Sequence, residues 1–312
     1  MFLNTADKPY KGSILFMMFG WQTKTSLLCI LSGVVIAALH SQNMLNGTIF
    51  PDFAKLPTFP LAVLGGALGI FVSFRTNSAY QRWWEGRKLW GRLINTSRHL
   101  CSQAIAYLKP EQAREVVLRQ VAYVHVLRCG LRDQDSFKDE DVRKAMQEEE
   151  QNILPGSTNL NHALLNRQMK LFVEQKNAGV INDFIMQSFD ESVRHLLDIQ
   201  GGCERIKKTP FPPGYGFLAT RLTQILSVAL PFFMVDKLGW WVILVNLIIC
   251  MAFQLINEVG RVLENPFTTF WPALPLSAMA KTIERNLRQA LGESELPSPH
   301  AATKEAPGMV LM

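Results

Sequence analysis

The sequence predicts an all-α integral membrane protein with four membrane-spanning segments and a cytoplasmic helical bundle. Three observations predict it. Four apolar stretches occur as two pairs, one near each end of the chain. Lysine and arginine collect on the same side of every crossing. The long polar middle repeats its apolar residues at helical spacing and shows no sustained period-two alternation.

The first apolar stretch runs from Thr25 to Leu39 and the second from Phe59 to Phe74. The third runs from Phe217 to Val235 and the fourth from Leu238 to Ile256. A helix needs about 20 apolar residues to cross a bilayer, with about 17 the lower limit. The fourth meets this without a charge. The third meets it if Arg221, near one end, snorkels to the headgroups. The first two are shorter and need interfacial flanks; a run like the second also suits a buried core helix.

Lys8, Lys11 and Lys24 precede the first stretch, and Arg75, Arg82, Arg87, Lys88 and Arg92 follow the second. The connection from His40 to Thr58 carries only Asp52 and Lys55, and the turn between the third and fourth carries only Asp236 and Lys237. Basic residues mark the cytoplasmic side, so both termini and the middle are expected there, in a multi-pass cell-membrane protein. Trp240 and Trp241 open the fourth stretch as an interfacial aromatic belt would.

The expected organisation follows. Residues 1–24 form a cytoplasmic N-terminal segment and 25–75 the first two spans. Residues 76–215 form a cytoplasmic helical region and 216–257 the third and fourth spans. Residues 258–291 form a C-terminal cytoplasmic helical segment, and 292–312 a disordered tail rich in Ala, Pro and Ser. In the middle, Leu93, Leu100, Ala104 and Leu108 share a helical face, as do Val117, Val121, Val124 and Leu127. Asp139 to Glu150 is dense in charge and reads as a solvated helix face. Pro155-Gly156 and the run Thr209-Pro-Phe-Pro-Pro-Gly mark loops.

Composition excludes several classes. The net charge of +6 is mild, and no Lys/Arg run exceeds two residues, as at Lys207-Lys208, which argues against nucleic acid. Mean hydropathy is +0.08, the value a soluble half averaged with a membrane half would give. The five cysteines show no C-x-x-C pair and no disulfide framework, in keeping with a reducing cytoplasm. The first apolar run lacks a small-x-small exit, so no cleavable secretory signal is expected. The six histidines are scattered, and no H-E-x-x-H, G-x-S-x-G or P-loop pattern occurs. No catalytic residue, metal ligand or cofactor is expected. Gly65 and Gly69 form a small-xxx-small pair, read as a site of close helix packing.

The second stretch ends at Phe74-Arg75 and runs into Thr-Asn-Ser-Ala-Tyr80-Gln-Arg82-Trp-Trp-Glu85-Gly-Arg87-Lys-Leu-Trp90-Gly91. Arg82 and Glu85, three apart, would pair on a continuing helix. This block resembles the signature of bestrophins, above all the bacterial branch. Three further pieces match in order: Gly201-Gly-Cys-Glu204-Arg205; Thr209-Pro-Phe-Pro-Pro; and Glu264-Asn265-Pro266-Phe267 with Ile283-Glu-Arg-Asn-Leu287. The resemblance covers about Gly12 to Gly292.

It implies a homopentameric channel whose second span lines a narrow neck. The neck positions are Gly66, Ile70 and Phe74, and their i, i+4, i+8 spacing independently puts them on one helical face. The family usually has a bulky aliphatic at the first of these, so glycine there implies a wider or missing ring. A cytosolic constriction falls on Phe184, where the family commonly has an aliphatic. Arg75, Tyr80, Arg82, Glu85, Arg87, Trp90, Glu204, Arg205, Asn265 and Pro266 are the family-motif residues. Animal members follow Asn-Pro-Phe with an acidic calcium clasp; here Phe267 is followed by Thr-Thr-Phe-Trp-Pro, which lacks the carboxylates calcium prefers. The implied activity is passive conduction of chloride or other anions, with a monovalent-cation channel or a non-conducting membrane-anchored scaffold as alternatives. The implied partners are further copies of the chain, the bilayer and permeating ions.

Overall fold

A computed structural model describes residues 23–42, 59–210, 212–269 and 273–298. The N-terminal segment to residue 22, the first connection from residue 43 to 58 and the tail from residue 299 lie outside the described residues. Among the described residues every regular element is helical. The α-helices are α1 (Thr23–Ser41), α2 (Phe59–Tyr107), α3 (Pro110–Leu131), α4 (Glu140–Ala145), α5 (Glu148–Ile153), α6 (Leu160–Asn177), α7 (Asp183–Lys208), α8 (Pro213–Leu238), α9 (Val242–Leu263) and α10 (Leu276–Ala290).

The chain divides into two compact units. One holds α1, α2 as far as Arg82, and Pro210–Glu264; the other holds Trp83–Thr209 and the chain from Asn265. Among the described residues three stretches contain windows long and apolar enough to cross a membrane: Lys24–Ser41, Pro60–Tyr107 and Gly214–Leu263. The last is divided at Gly239–Trp241 into α8 and α9, where Gly239 takes a positive φ of 50° that a side chain would resist.

In the apolar unit, α1, α8 and α9 pack together through polar atoms as well as apolar ones. Pro231 lies inside α8 and has no N–H, so the Ser227 carbonyl one turn earlier loses its helical donor. Two other helices supply replacements. Ser32 Oγ of α1 donates to that carbonyl at 2.9 Å, and Asn246 Nδ2 of α9 donates at 2.9 Å. Asn246, fully buried, also donates to the Cys29 carbonyl at 3.0 Å. A polar side chain in an apolar span is thus fully used.

Among the described residues Gly65 and Gly69 do not make the close helix approach expected of them. A Cβ on Gly65 would meet nothing within 4 Å, and one on Gly69 only Phe253 at 3.9 Å. The close approach occurs at Gly33, whose Cβ would sit 3.2 Å from the Ile243 backbone. Small residues permit such contact wherever two backbones cross, and the spacing motif does not say where that is.

The second unit is built as its periodicity predicts. Leu93, Leu100 and Ala104 of α2, Leu108 just past its end, and Val117, Val121, Val124 and Leu127 of α3 are all buried in one apolar core. α3 begins on Pro110 at its first turn, where a missing N–H costs nothing. Asn159 and Asn182 cap α6 and α7 by accepting from His162 N and Ile185 N.

The segment from Asp139 to Glu150 departs from expectation in its continuity and at one residue. It is two short helices rather than one; Glu140, Arg143, Lys144, Glu148 and Glu149 are exposed as a solvated face requires, and Glu150 turns inward. Glu150 is fully buried and accepts from Arg119 Nε at 2.5 Å. Arg119 also donates to Glu115 at 2.6 Å and Gln168 at 3.2 Å. The partner of Glu150 lies 31 residues earlier, out of reach of any local pattern.

Candidate functional site

Within the apolar unit α2 has two unlike faces. Leu68 and Val72 are buried against Ala219 and Leu226 of α8. On the other side, Ile70 is 62% and Phe74 65% exposed, with Gly66 one turn before them also exposed. Ile70 and Phe74 stand about 6 Å apart along the axis. The chain therefore presents an uncharged ridge that none of its own described helices covers.

The ridge ends at Arg75, which turns the other way and is 5% exposed. Its guanidinium donates to Glu264 Oε1 through Nε at 3.1 Å and Nη2 at 2.6 Å, and to Asn257 Oδ1. Arg82, two turns on, donates from Nε to the Glu264 carbonyl at 2.7 Å. Gly260 lets α9 approach here, since a Cβ would come within 3.2 Å of Thr76 Oγ1. Tyr80 is 45% exposed on the same helix.

The remaining motif residues lie in the second unit. Glu85 pairs with Arg205 at 2.5 Å rather than with Arg82, the partner expected from spacing. Trp90 is fully buried and Arg87 partly so. Glu204 accepts from Gln200 at 2.7 Å and Lys208 at 2.9 Å. Asn265 Oδ1 accepts from Phe267 N at 3.3 Å, and the Pro266 carbonyl from Leu274 N at 2.8 Å. The turn so formed buries Pro266 and Phe267 against Gly86, where a Cβ would meet the two rings at 3.3 and 3.2 Å. Phe184 is 83% exposed in the first turn of α7, beside the capping Asn182.

One cluster brings three metal-type donors together: His125, Asp139 and Asp141, with ligand atoms within 4.8 Å. Side-chain cations already engage these carboxylates. Arg128 donates to Asp139, and Lys281 Nζ to Asp141 Oδ1 at 2.5 Å. Asp139 Oδ1 is taken by the backbone N–H groups of Asp141 and Val142. His125 Nε2 lies 3.1 Å from Glu284. Burial alone would raise the Glu284 carboxyl, but the hydrogen bond and charge of His125, then Lys281, hold it down at about 2. All five cysteines are free and buried. Burial pushes the Cys101 thiol up to about 11 and Cys203 to about 12, leaving neither as a thiolate at neutral pH.

Residues 11–289 match the family model described as Bacterial/Fungal Bestrophin protein. The chain belongs to the bestrophin family. Among its relatives, the voltage-dependent anion channel-forming protein mll4386 of Mesorhizobium japonicum is 32% identical, covering 78% of each chain. The voltage-dependent anion channel-forming protein YneE of Escherichia coli K12 is 33% identical, covering 78% of this chain and 80% of its own. The crystal structure of a bacterial bestrophin homologue from Klebsiella pneumoniae superposes with a TM-score of 0.80 at 28% identity, covering 88% of this chain and 99% of that one.

In this bestrophin the conspicuous motif residues divide by what they touch. Gly66, Ile70, Phe74 and Phe184 leave their surface uncovered among the described residues. Arg75, Arg82, Glu85, Trp90, Arg205 and the Asn265-Pro266 turn brace helices against one another, and Glu204 bonds within its own helix. Sequence reasoning missed Asn257. Its signal was an amide just past the end of the fourth stretch, seven residues before Glu264 and so on the same helical face.

Proposed function

We propose that this bestrophin is the subunit of an anion-conducting channel, with chloride as its principal ion. Five copies would surround a pore lined by the Gly66–Ile70–Phe74 face of α2. Four spans per subunit would be α1, the apolar part of α2, α8 and α9. The basic flanks support a cytoplasmic position for both termini and the second unit. The observation that carries this reading is the ridge itself. Ile70 and Phe74 are largely exposed on a helix whose opposite face is packed. A shared axis gives such a face a use: stacked apolar rings form a constriction that gates by dewetting. Phe184 would give a second, cytosolic constriction, since its ring is likewise uncovered. The names of the relatives in Mesorhizobium and Escherichia coli support anions as the permeating species.

The test is a reversal-potential measurement on purified protein in planar bilayers with a potassium chloride gradient. The expected reversal lies near the chloride equilibrium potential. Reversal near the potassium potential would turn the reading to a cation channel, and absence of current to a scaffold. Mass measurement in detergent checks stoichiometry, and a monomer alone would contradict the shared pore.

A further inference from the structure

Two hollows in the apolar unit share a boundary. The first, about 720 Å³, is polar and lined by Arg75, Arg221, Arg261, Glu258 and Glu264 among others. The second, about 610 Å³, is an apolar groove along α8 beside α1, lined by Leu28, Ile225, Val228, Phe232 and Phe233. Arg221 and Gln224 line both.

The charges that the described residues bring to the polar hollow do not cancel. Arg75 bonds Glu264, and Arg261 bonds Glu258 at 2.5 Å. Among the described residues three arginines face two glutamates, and the surplus cation is Arg221. Its guanidinium lies 5.0 Å from the Phe217 ring centroid and donates to the Gln224 carboxamide at 3.0 Å, which orients it without neutralising it. It stands four residues, about 6 Å, inside the start of the apolar stretch at Phe217, within snorkelling reach of the headgroups in a bilayer.

We infer that this junction binds one phospholipid with an anionic phosphodiester headgroup. The phosphate sits against Arg221 and one acyl chain lies in the groove beneath it. A neutral lipid would fill the groove and leave the surplus charge unmatched. A soluble anion would match the charge and leave an apolar trough facing water. An anionic phospholipid meets both demands, and basic pockets at the ends of membrane helices take such headgroups for that reason. The inference rests on the apolar unit lying in a bilayer, not on which ion the channel conducts.

The test is native mass spectrometry of the full-length protein in detergent. It is offered equal amounts of dioleoyl phosphatidylglycerol and dioleoyl phosphatidylcholine. The wild type should retain phosphatidylglycerol in preference by about fivefold, the discrimination one basic side chain supplies toward an anionic headgroup. Arg221→Gln should bring the ratio to about one, Arg221→Lys should keep most of it, and excess inorganic phosphate should displace nothing. A wild-type ratio near one overturns the inference, even if Arg221→Gln does not fold. So does an unchanged ratio in Arg221→Gln. Displacement by inorganic phosphate would make this a soluble-anion site and also overturn it. Conduction is recorded separately: a channel without lipid preference refutes only this site, and a silent protein that retains phosphatidylglycerol refutes only the channel.

Discussion

Glu150→Gln should destabilise the second unit well beyond a surface substitution. Glu150 is fully buried, and its partner Arg119 is 4% exposed, so neither charge has water to fall back on. Removing one member of a buried pair costs about 3–5 kcal/mol, because the other is left uncompensated. Arg119 keeps Glu115 and Gln168, and the glutamine can still accept a hydrogen bond, which argues for the lower end, about 3 kcal/mol. For a domain of this size each kcal/mol lowers Tm by about 2–4 °C, so the expected fall is about 6–12 °C. The assay is thermal unfolding of the full-length protein in detergent, followed by near-ultraviolet circular dichroism. Arg119→Met combined with Glu150→Leu removes both charges and should recover at least half the loss. A fall below about 2 °C in Glu150→Gln, or a double variant worse than the sum of its parts, would refute the reasoning.

Ile70→Ala with Phe74→Ala should raise conductance or open probability in single-channel recordings, since a widened tube stays wet; no change with normal assembly would remove these residues from the gate. Asn246→Leu should lower stability in detergent by about 1 kcal/mol, and by less in a Pro231→Ala background, where residue 231 again offers the Ser227 carbonyl an N–H; equal losses would count against the role given to Asn246. Glu284, held at about 2 against its usual 4.5, contributes about 3 kcal/mol that is fully present above pH 4.5 and lost as pH falls toward 2; Glu284→Gln should flatten acid unfolding over that window. Chelating calcium should leave currents unchanged, because Thr268 and Thr269 follow Phe267 where carboxylates would be needed; a large loss would point to ligands elsewhere.

Periodicity and charge make the helices legible in the sequence. The faces of Leu93–Leu108 and Val117–Leu127 could be named from spacing because a helix that buries one side must repeat its apolar residues every three or four positions. The loop at Thr209-Pro210 was equally local, since a missing N–H acts on the residue itself, whereas the turn expected at Asp236-Lys237 falls at Gly239–Trp241. The ridge of Gly66, Ile70 and Phe74 was legible as a face.

Partnership was not legible. Nothing near Glu150 says that it is buried, because the arginine that permits it lies on another helix. Arg82 and Glu85 are spaced to pair, yet Glu85 meets Arg205 and Arg82 meets the Glu264 carbonyl. Gly65 and Gly69 carry the packing motif while Gly33 makes the close approach. The carbonyl freed by Pro231 is satisfied from two other helices. By itself the sequence determined which segments are helical, which are apolar enough for a bilayer, and which family the chain resembles, because each is a property of neighbours along the chain. Only the tertiary structure decided which charges are buried, which glycines are crossed and which polar atoms share a partner, because those energies depend on distances between residues far apart in sequence.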